Sequence, residues 1–448
     1  MTMFRDVLGL SLSGASADAL EPYLRGVGEL QRFTGDPIAS ADAAIAAAPG
    51  FVMAHVLKGW LYALSTERAA TEAARQIHAD AARLPATPRE LAHVDALGHL
   101  VAGRWHGAGE TLARLTATEP LDALALQAGH QIDFFTGNAP MLRRRIEDAL
   151  PRWSADAPGY HAVLGMHAFG LEENANYAEA ERQGRRAIDL EPRDGWAQHA
   201  VAHVMEMQCR QSEGIAWMRE GPGIWSQDSF LKTHNWWHLA LFHYELGEID
   251  EVLDLFDGPI WGNRSRLALN LVDASAILWR LHIGGYNVGD RWTALAEAWA
   301  PSAAAGYYAF NDMHAMMAFV GAGDLANAMR LTEAQATAAA GAGDNARFTR
   351  DVGIPAAQAI LAFGEGDYRR TVGLLAPLRS VAHTFGGSHA QRDVIDLTLI
   401  EASLRAGDGD LARTLAGQRL DQRGKSPLSA LFADRAGRVT AGPDPAAI

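Results

Sequence analysis

The 448-residue chain has a single cysteine, Cys209, which excludes an intrachain disulfide framework and any cysteine-rich zinc site. No stretch approaches 18 uninterrupted apolar residues, so the sequence offers no membrane-spanning helix. The amino terminus carries an early acid and too little apolar sequence for a signal peptide, and the expected compartment is the cytoplasm. Positive charge is scarce: 39 Lys and Arg face 53 Asp and Glu, for a net charge of −14. The short basic stretch Arg143-Arg144-Arg145 runs straight into Glu147 and Asp148 and reads as a solvated helix face. Neither nucleic acid nor a membrane is therefore an expected partner. Beta-branched runs bounded by turn signals are also few, which argues against sheets.

What remains is alanine-rich, 48% hydrophobic sequence of the kind that packs amphipathic helices. Glycine pairs mark candidate turns at Gly35-Asp36, Gly103-Arg104, Gly137-Asn138, Gly247-Glu248, Gly289-Asp290, Gly323-Asp324, Gly366-Asp367 and Gly409-Asp410. From 35 to 103 is twice 34, from 103 to 137 is 34, and the last two intervals are 43 each. A period near 34 is that of a tetratricopeptide unit, a hairpin of two helices. Ala180, Ala187 and Pro192 fit its second helix, where the alanines allow close approach and the proline ends it. Ala108, Leu115 and Pro120 repeat the frame. The expected fold is all-α: a strongly curved α-solenoid of degenerate tetratricopeptide-like hairpins. No linker divides it, so one array is expected over residues 1–424, with a capping helix in the first 30 residues and a disordered tail at 425–448.

Five phrases add a resemblance: GMHAFGLEE (165–173), HAVAHVMEMQ (199–208), HNWWH (234–238), LVDASAILWRL (271–281) and GGSHAQRD (386–393). Together they resemble the tetratricopeptide repeat protein 38 family, and the resemblance implies a curved, soluble, cytoplasmic α-solenoid without implying a reaction. Cys209 is a departure, because the family usually reads Gly after the MEMQ phrase.

The pairs His199/His203 and His234/His238 are offset by 35 residues, and i, i+4 spacing puts each pair on one helical face. A wider row at similar intervals comprises His99, Asp133, His167, His203, His238, Asp273 and His314. First helices line the inner surface of a tetratricopeptide superhelix, so this row is expected in the concave channel. The alternative is structural: the imidazoles bridge neighbouring repeats by hydrogen bonds.

Three chemistries follow. His199, His203, Glu206, His234 and His238 form a candidate metal set suited to zinc or iron, although no HExxH is present and the single ExxH, Glu90 to His93, has no second copy. Metal-free acid/base chemistry would draw on His203, His238, Asp273, His314 and His389. Asp133, His167, His199, Trp236, Trp237, Arg392 and Asp393 are candidate ligand contacts, Arg392 as a clamp for carboxylate or phosphate and the tryptophans as walls, unless these only fill space between helices. No GxSxG elbow exists, and serine hydrolysis is not indicated. A lining of His, Asp and Trp suits a small molecule, or a metal, better than the acidic peptide ends commonly bound by Lys- and Arg-lined grooves. The leading expectation is a binding protein for a small-molecule or peptide ligand. The alternative is a hydrolase- or lyase-type enzyme, with or without metal.

Overall fold

A computed structural model describes residues 4–439. A two-stranded antiparallel hairpin, Phe4–Arg5 with Ser11–Leu12, precedes an otherwise helical chain. The chain divides into two compact units. One runs to Val204 and takes in Gly221–Asn235; the other joins Met205–Glu220 to the chain from Trp236 onward. The helices Gly195–Met207 and Lys232–Leu246 supply residues to both.

In the first unit helices alternate as hairpins: Ala17–Arg32 with Pro37–Ala47, Val52–Ala63 with Arg68–Ala81, Pro88–Val101 with Trp105–Thr118, Ala123–Phe135 with Ala139–Ala149, and Tyr160–Glu172 with Tyr177–Leu190. The Gly-Asp pairs explain the turns. Gly35 adopts φ 72°, which ends one helix, and the Asp36 carboxylate accepts the Ala39 N–H that would otherwise be orphaned at the start of the next. Asp324, Asp367 and Asp408 cap in the same way.

Where the glycine register has gaps, other residues take the left-handed conformation: Thr66 (φ 62°), Ala175 (φ 60°) and Cys209 (φ 54°). The last turn also falls two residues earlier than expected. Gly407 has the positive φ and Asp408 caps, while Gly409 is already the first helical residue.

First and second helices differ sharply in burial. From Ala162 to Glu172 every residue of one first helix is buried, whereas its partner Tyr177–Leu190 buries only Ala180, Gly184 and Ala187. In the second unit, Ala268–Ile283 and Ala309–Ala322 are likewise buried nearly all round. A helix apolar on every side belongs in a core. The first helices are thus core elements, which corrects the expectation that their polar row lines an open channel; of that row only His99 keeps substantial side-chain exposure, 29%.

The first unit closes on itself around its opening helix. Gln127 Nε2 donates to Leu30 O at 2.9 Å, Phe33 stacks on Trp196 with ring centroids 5.3 Å apart, and the Phe230 N–H donates to Phe33 O at 3.0 Å. Phe169, Trp196, Val163 and Leu164 anchor the core beneath. Burying a side chain such as Phe169 contributes about 1.5–3 kcal/mol.

In the second unit Ala268–Ile283 is tied to His389–Arg405 across more than a hundred residues. Arg280 Nη2 donates to Ala390 O at 2.7 Å, and Trp279 Nε1 to Thr398 Oγ1 at 3.0 Å. The chain does not lose structure at 425: a helix spans Pro427–Arg438. Ser426 caps it, Phe432 and Ala436 are buried, and Arg435 pairs with Glu401 at 2.7 Å. The sequence hid this helix because the cap and an ion pair to the buried Glu401 support it as much as its apolar face. The rest of the expected tail, 440–448, lies outside the described residues.

Candidate metal centre

The helix Gly195–Met207 starts where Asp194 accepts the N–H groups of Trp196 (3.0 Å) and Ala197 (2.9 Å) through Oδ1. Asn235 Nδ2 donates to Gly195 O at 3.1 Å and fixes the start of Lys232–Leu246 beside it. This registry brings His234 to His199, with their Nε2 atoms 3.0 Å apart. His203, one turn further along, lies with its ring centroid 4.4 Å from that of His199 and at 89° to it. One ligand atom each from His199, His203 and His234 falls within 4.8 Å of the others.

His199 and His203 are buried and His234 half-buried. Phe169 packs on both buried imidazoles, at centroid distances of 5.0 and 5.3 Å, and Trp196 lies 4.8 Å from His199. On the other side of His203, Glu172 Oε2 is 3.5 Å from Nδ1, and neither side chain is exposed to solvent. Glu172, Glu173 and His203 form a second set of ligand atoms within 4.8 Å.

Two imidazole nitrogens at 3.0 Å can share one proton in a hydrogen bond. They can equally be two corners of a coordination tetrahedron, since metal–nitrogen bonds of about 2.0–2.1 Å set the nitrogens about 3.3 Å apart. His203 has the carboxylate of Glu172 near Nδ1. A carboxylate behind a ligating histidine is the usual way of fixing its tautomer and ring orientation. Three imidazoles, a carboxylate behind one of them and an aromatic jacket form a donor set of the kind that zinc or iron takes.

Asp133 and His167 stand apart from this set. Asp133 joins neither set of close ligand atoms. It accepts Arg145 Nε at 2.7 Å and Nη2 at 3.1 Å, both side chains buried. Burial raises its pKa and Arg145 opposes the rise. His167 faces Glu147 at 3.8 Å, and burial lowers its pKa.

In the second unit, Glu206 Oε2 sits 3.1 Å from His238 Nδ1, and Arg423 Nη2 is 3.7 Å from Glu206 Oε1. Burial raises the Glu206 pKa. Asp393 accepts both terminal nitrogens of Arg419, at 2.5 and 3.0 Å, and Glu245 accepts Ser426 Oγ at 2.5 Å. Burial alone would raise the Asp393 pKa, but Arg419 and Arg423 outweigh it and hold the carboxylate far below its usual range. Three carboxylates, of Glu206, Glu245 and Asp393, balance the guanidinium groups of Arg280, Arg419 and Arg423. Opposite charges in the cluster thus lie beside one another, as buried ions require.

Trp237 is fully buried with the Arg280 guanidinium 5.4 Å from its ring centroid, and Trp236 is half-buried. Asp273 is buried, and His314 donates from Nδ1 to Phe310 O at 2.8 Å. The GGSHAQRD phrase is a helix start. Ser388 and Gln391 form a capping box, His389 is the first helical residue, and Arg392 donates to Gly387 O. Arg392 thus gives one of its guanidinium donors to the backbone.

Sequence reasoning passed over Glu172 and Glu173, although both stand in the GMHAFGLEE phrase. A signal was there. His93 meets Asp122 at 3.0 Å, His161 meets Asp194 at 2.8 Å, and His203 lies near Glu172, so an acid about 30 residues away recurs beside first-helix histidines. The ExxH at Glu90 and His93 resolves differently: Glu90 caps its own helix and accepts the Ser13 N–H at 2.8 Å.

The architecture defines a helical-repeat protein of tetratricopeptide type. No family model matches the chain. The crystal structure of yeast Tom70 is similar over 92% of this chain and 86% of that one, at 13% identity and a TM-score of 0.34. The structure of Naa15/Naa10 bound to HypK-THB is similar over 93% of this chain and 72% of that one, at 12% identity and a TM-score of 0.20. At such scores neither neighbour bears on what this chain binds. No helix among the described residues is long and apolar enough to cross a membrane.

Proposed function

We propose that the protein belongs to the tetratricopeptide repeat protein 38 family and is a ligand-binding helical-repeat protein whose first unit holds a divalent transition metal on His199, His203 and His234. The reading is supported above all by the convergence of these three imidazoles within 4.8 Å, with Glu172 behind His203. Zinc and iron fit the donor set, since imidazole suits both and the adjoining carboxylates add a hard donor. A metal held there would recruit, as a further ligand, a small molecule or peptide group with a donor oxygen or nitrogen. In the enzymatic alternative His199, His203 and His234 would hold the metal, which would supply activation of water for hydrolysis.

The test is titration of metal-stripped protein with Co2+, followed by visible absorption. One equivalent giving the intense bands of a four-coordinate ion, lost in His203→Ala but kept in His99→Ala, is the expected result. Binding that persists unchanged in His203→Ala would overturn the assignment.

A further inference from the structure

The first unit also contains a cavity of about 270 Å3 that shares no residue with the histidine set. Leu24 and Val27 of the opening helix form one apolar wall, and Leu8 from the turn of the amino-terminal hairpin forms another. The charged residues of the lining largely serve the fold. Arg89 pairs with Asp122 at 2.6 Å, and Asp6 accepts the N–H groups of Leu8 and Leu10 at 2.9 and 2.8 Å. Arg32 lines the cavity and also the open groove along the same helix.

Three uncharged polar groups face the same space. Gln31 is 9% exposed and Tyr23 4%. Among the described residues neither the Gln31 amide nor the Tyr23 hydroxyl makes a hydrogen bond, and both keep accessible surface in the lining. Gly159, which lines the cavity with Gln31, makes room for the amide: it holds φ 80°, and a Cβ there would lie 2.6 Å from Gln31 Nε2 and 2.9 Å from Oε1. The third group is His161. Its Nδ1 lies 2.8 Å from Asp194 Oδ2, so the neutral ring carries its proton there and presents Nε2 as an acceptor. Apolar walls with a few convergent polar groups are the usual make-up of a small-molecule site. The amide offers a donor and an acceptor side by side in one plane, the pattern that pairs with the donor–acceptor edge of a nucleobase.

We propose that this cavity binds a free purine base, a neutral planar heterocycle whose adjacent donor and acceptor pair with the Gln31 amide while its rings lie against Leu24 and Val27. His161 Nε2 can accept a ring N–H, and the Tyr23 hydroxyl can donate to a ring nitrogen. The volume is just under the usual range for ligand pockets, which limits the occupant to about ten non-hydrogen atoms, the size of adenine. The site does not depend on the metal reading, because the two share no residue.

Adenine is a suitable probe, with indole, a bicycle of similar size without a ring acceptor, and adenosine as controls, each titrated calorimetrically into the full chain. One adenine per chain is expected, with both controls at least about tenfold weaker, adenosine because its ribose exceeds the volume. Val27→Phe narrows the cavity, and Gln31→Met keeps the length of the side chain but removes the paired donor and acceptor; each should weaken adenine at least about tenfold. His203→Ala should bind adenine as the parent does. No heat with adenine up to about 5 mM, indole or adenosine binding as well as adenine, or an unaffected Gln31→Met would each overturn the proposal. Should Gln31→Met fail to fold, Val27→Phe and the indole comparison decide it.

Discussion

Asp133 and His314 show how residues of one sequence pattern take different physical roles. Removing the carboxylate in Asp133→Ala leaves the Arg145 guanidinium buried with only the Gly109 carbonyl, 3.1 Å from Nη2, to satisfy it. A loss of about 3–5 kcal/mol is expected, read from urea unfolding. His314 is buried as the neutral imidazole: burial, against the Phe310 carbonyl that favours its proton, pushes its pKa down to about 4. Between that value and the unfolded value near 6.5 the unfolded chain binds the additional proton. The stability from this residue is therefore complete above about pH 6.5 and falls by about 3 kcal/mol as pH drops to 4. His314→Gln should flatten that part of the pH–stability curve, measured by urea midpoints at several pH values between 4 and 7. A curve as steep as the parent's would show that the proton binds elsewhere.

At the scale of the element, helix starts and turns account for much of what was legible. Gly-Asp pairs announce a left-handed helix end followed by an N-cap, and most of the expected turns fall where the sequence puts them. The turns at Ala175 and Cys209 were invisible because residues without glycine's freedom hold the same conformation, at φ 60° and 54°. Ala175 is exposed, so Ala175→Gly should relieve strain without losing packing and raise stability by about 0.5–1 kcal/mol in thermal or urea unfolding. The opposite change at Gly170 should harm. A Cβ there would lie 2.6 Å from Leu142 O, so Gly170→Ala is expected to cost about 1–3 kcal/mol. The paired histidines were legible because helical periodicity and the 35-residue offset are both written in one dimension. Glu172 was not, because its helix packs beside His203 from 31 positions away, a placement that depends on tertiary packing.

At the scale of the molecule, the composition that promised packed helices also explains why the polar row is not a channel lining. First helices this apolar bury all their faces, and their polar residues are retained in pairs: Asp133 with Arg145, His93 with Asp122, His161 with Asp194. Against that background the imidazoles of His199, His203 and His234 stand out, because they converge on one another. The most direct test of the account is elemental analysis of protein purified without an affinity tag or chelator, beside a His199→Ala/His234→Ala variant of unchanged helical content. The account predicts close to one equivalent of zinc or iron in the parent and almost none in the variant. A parent without metal that also fails to take up zinc or iron on dialysis, or a variant that keeps the full equivalent, would contradict it.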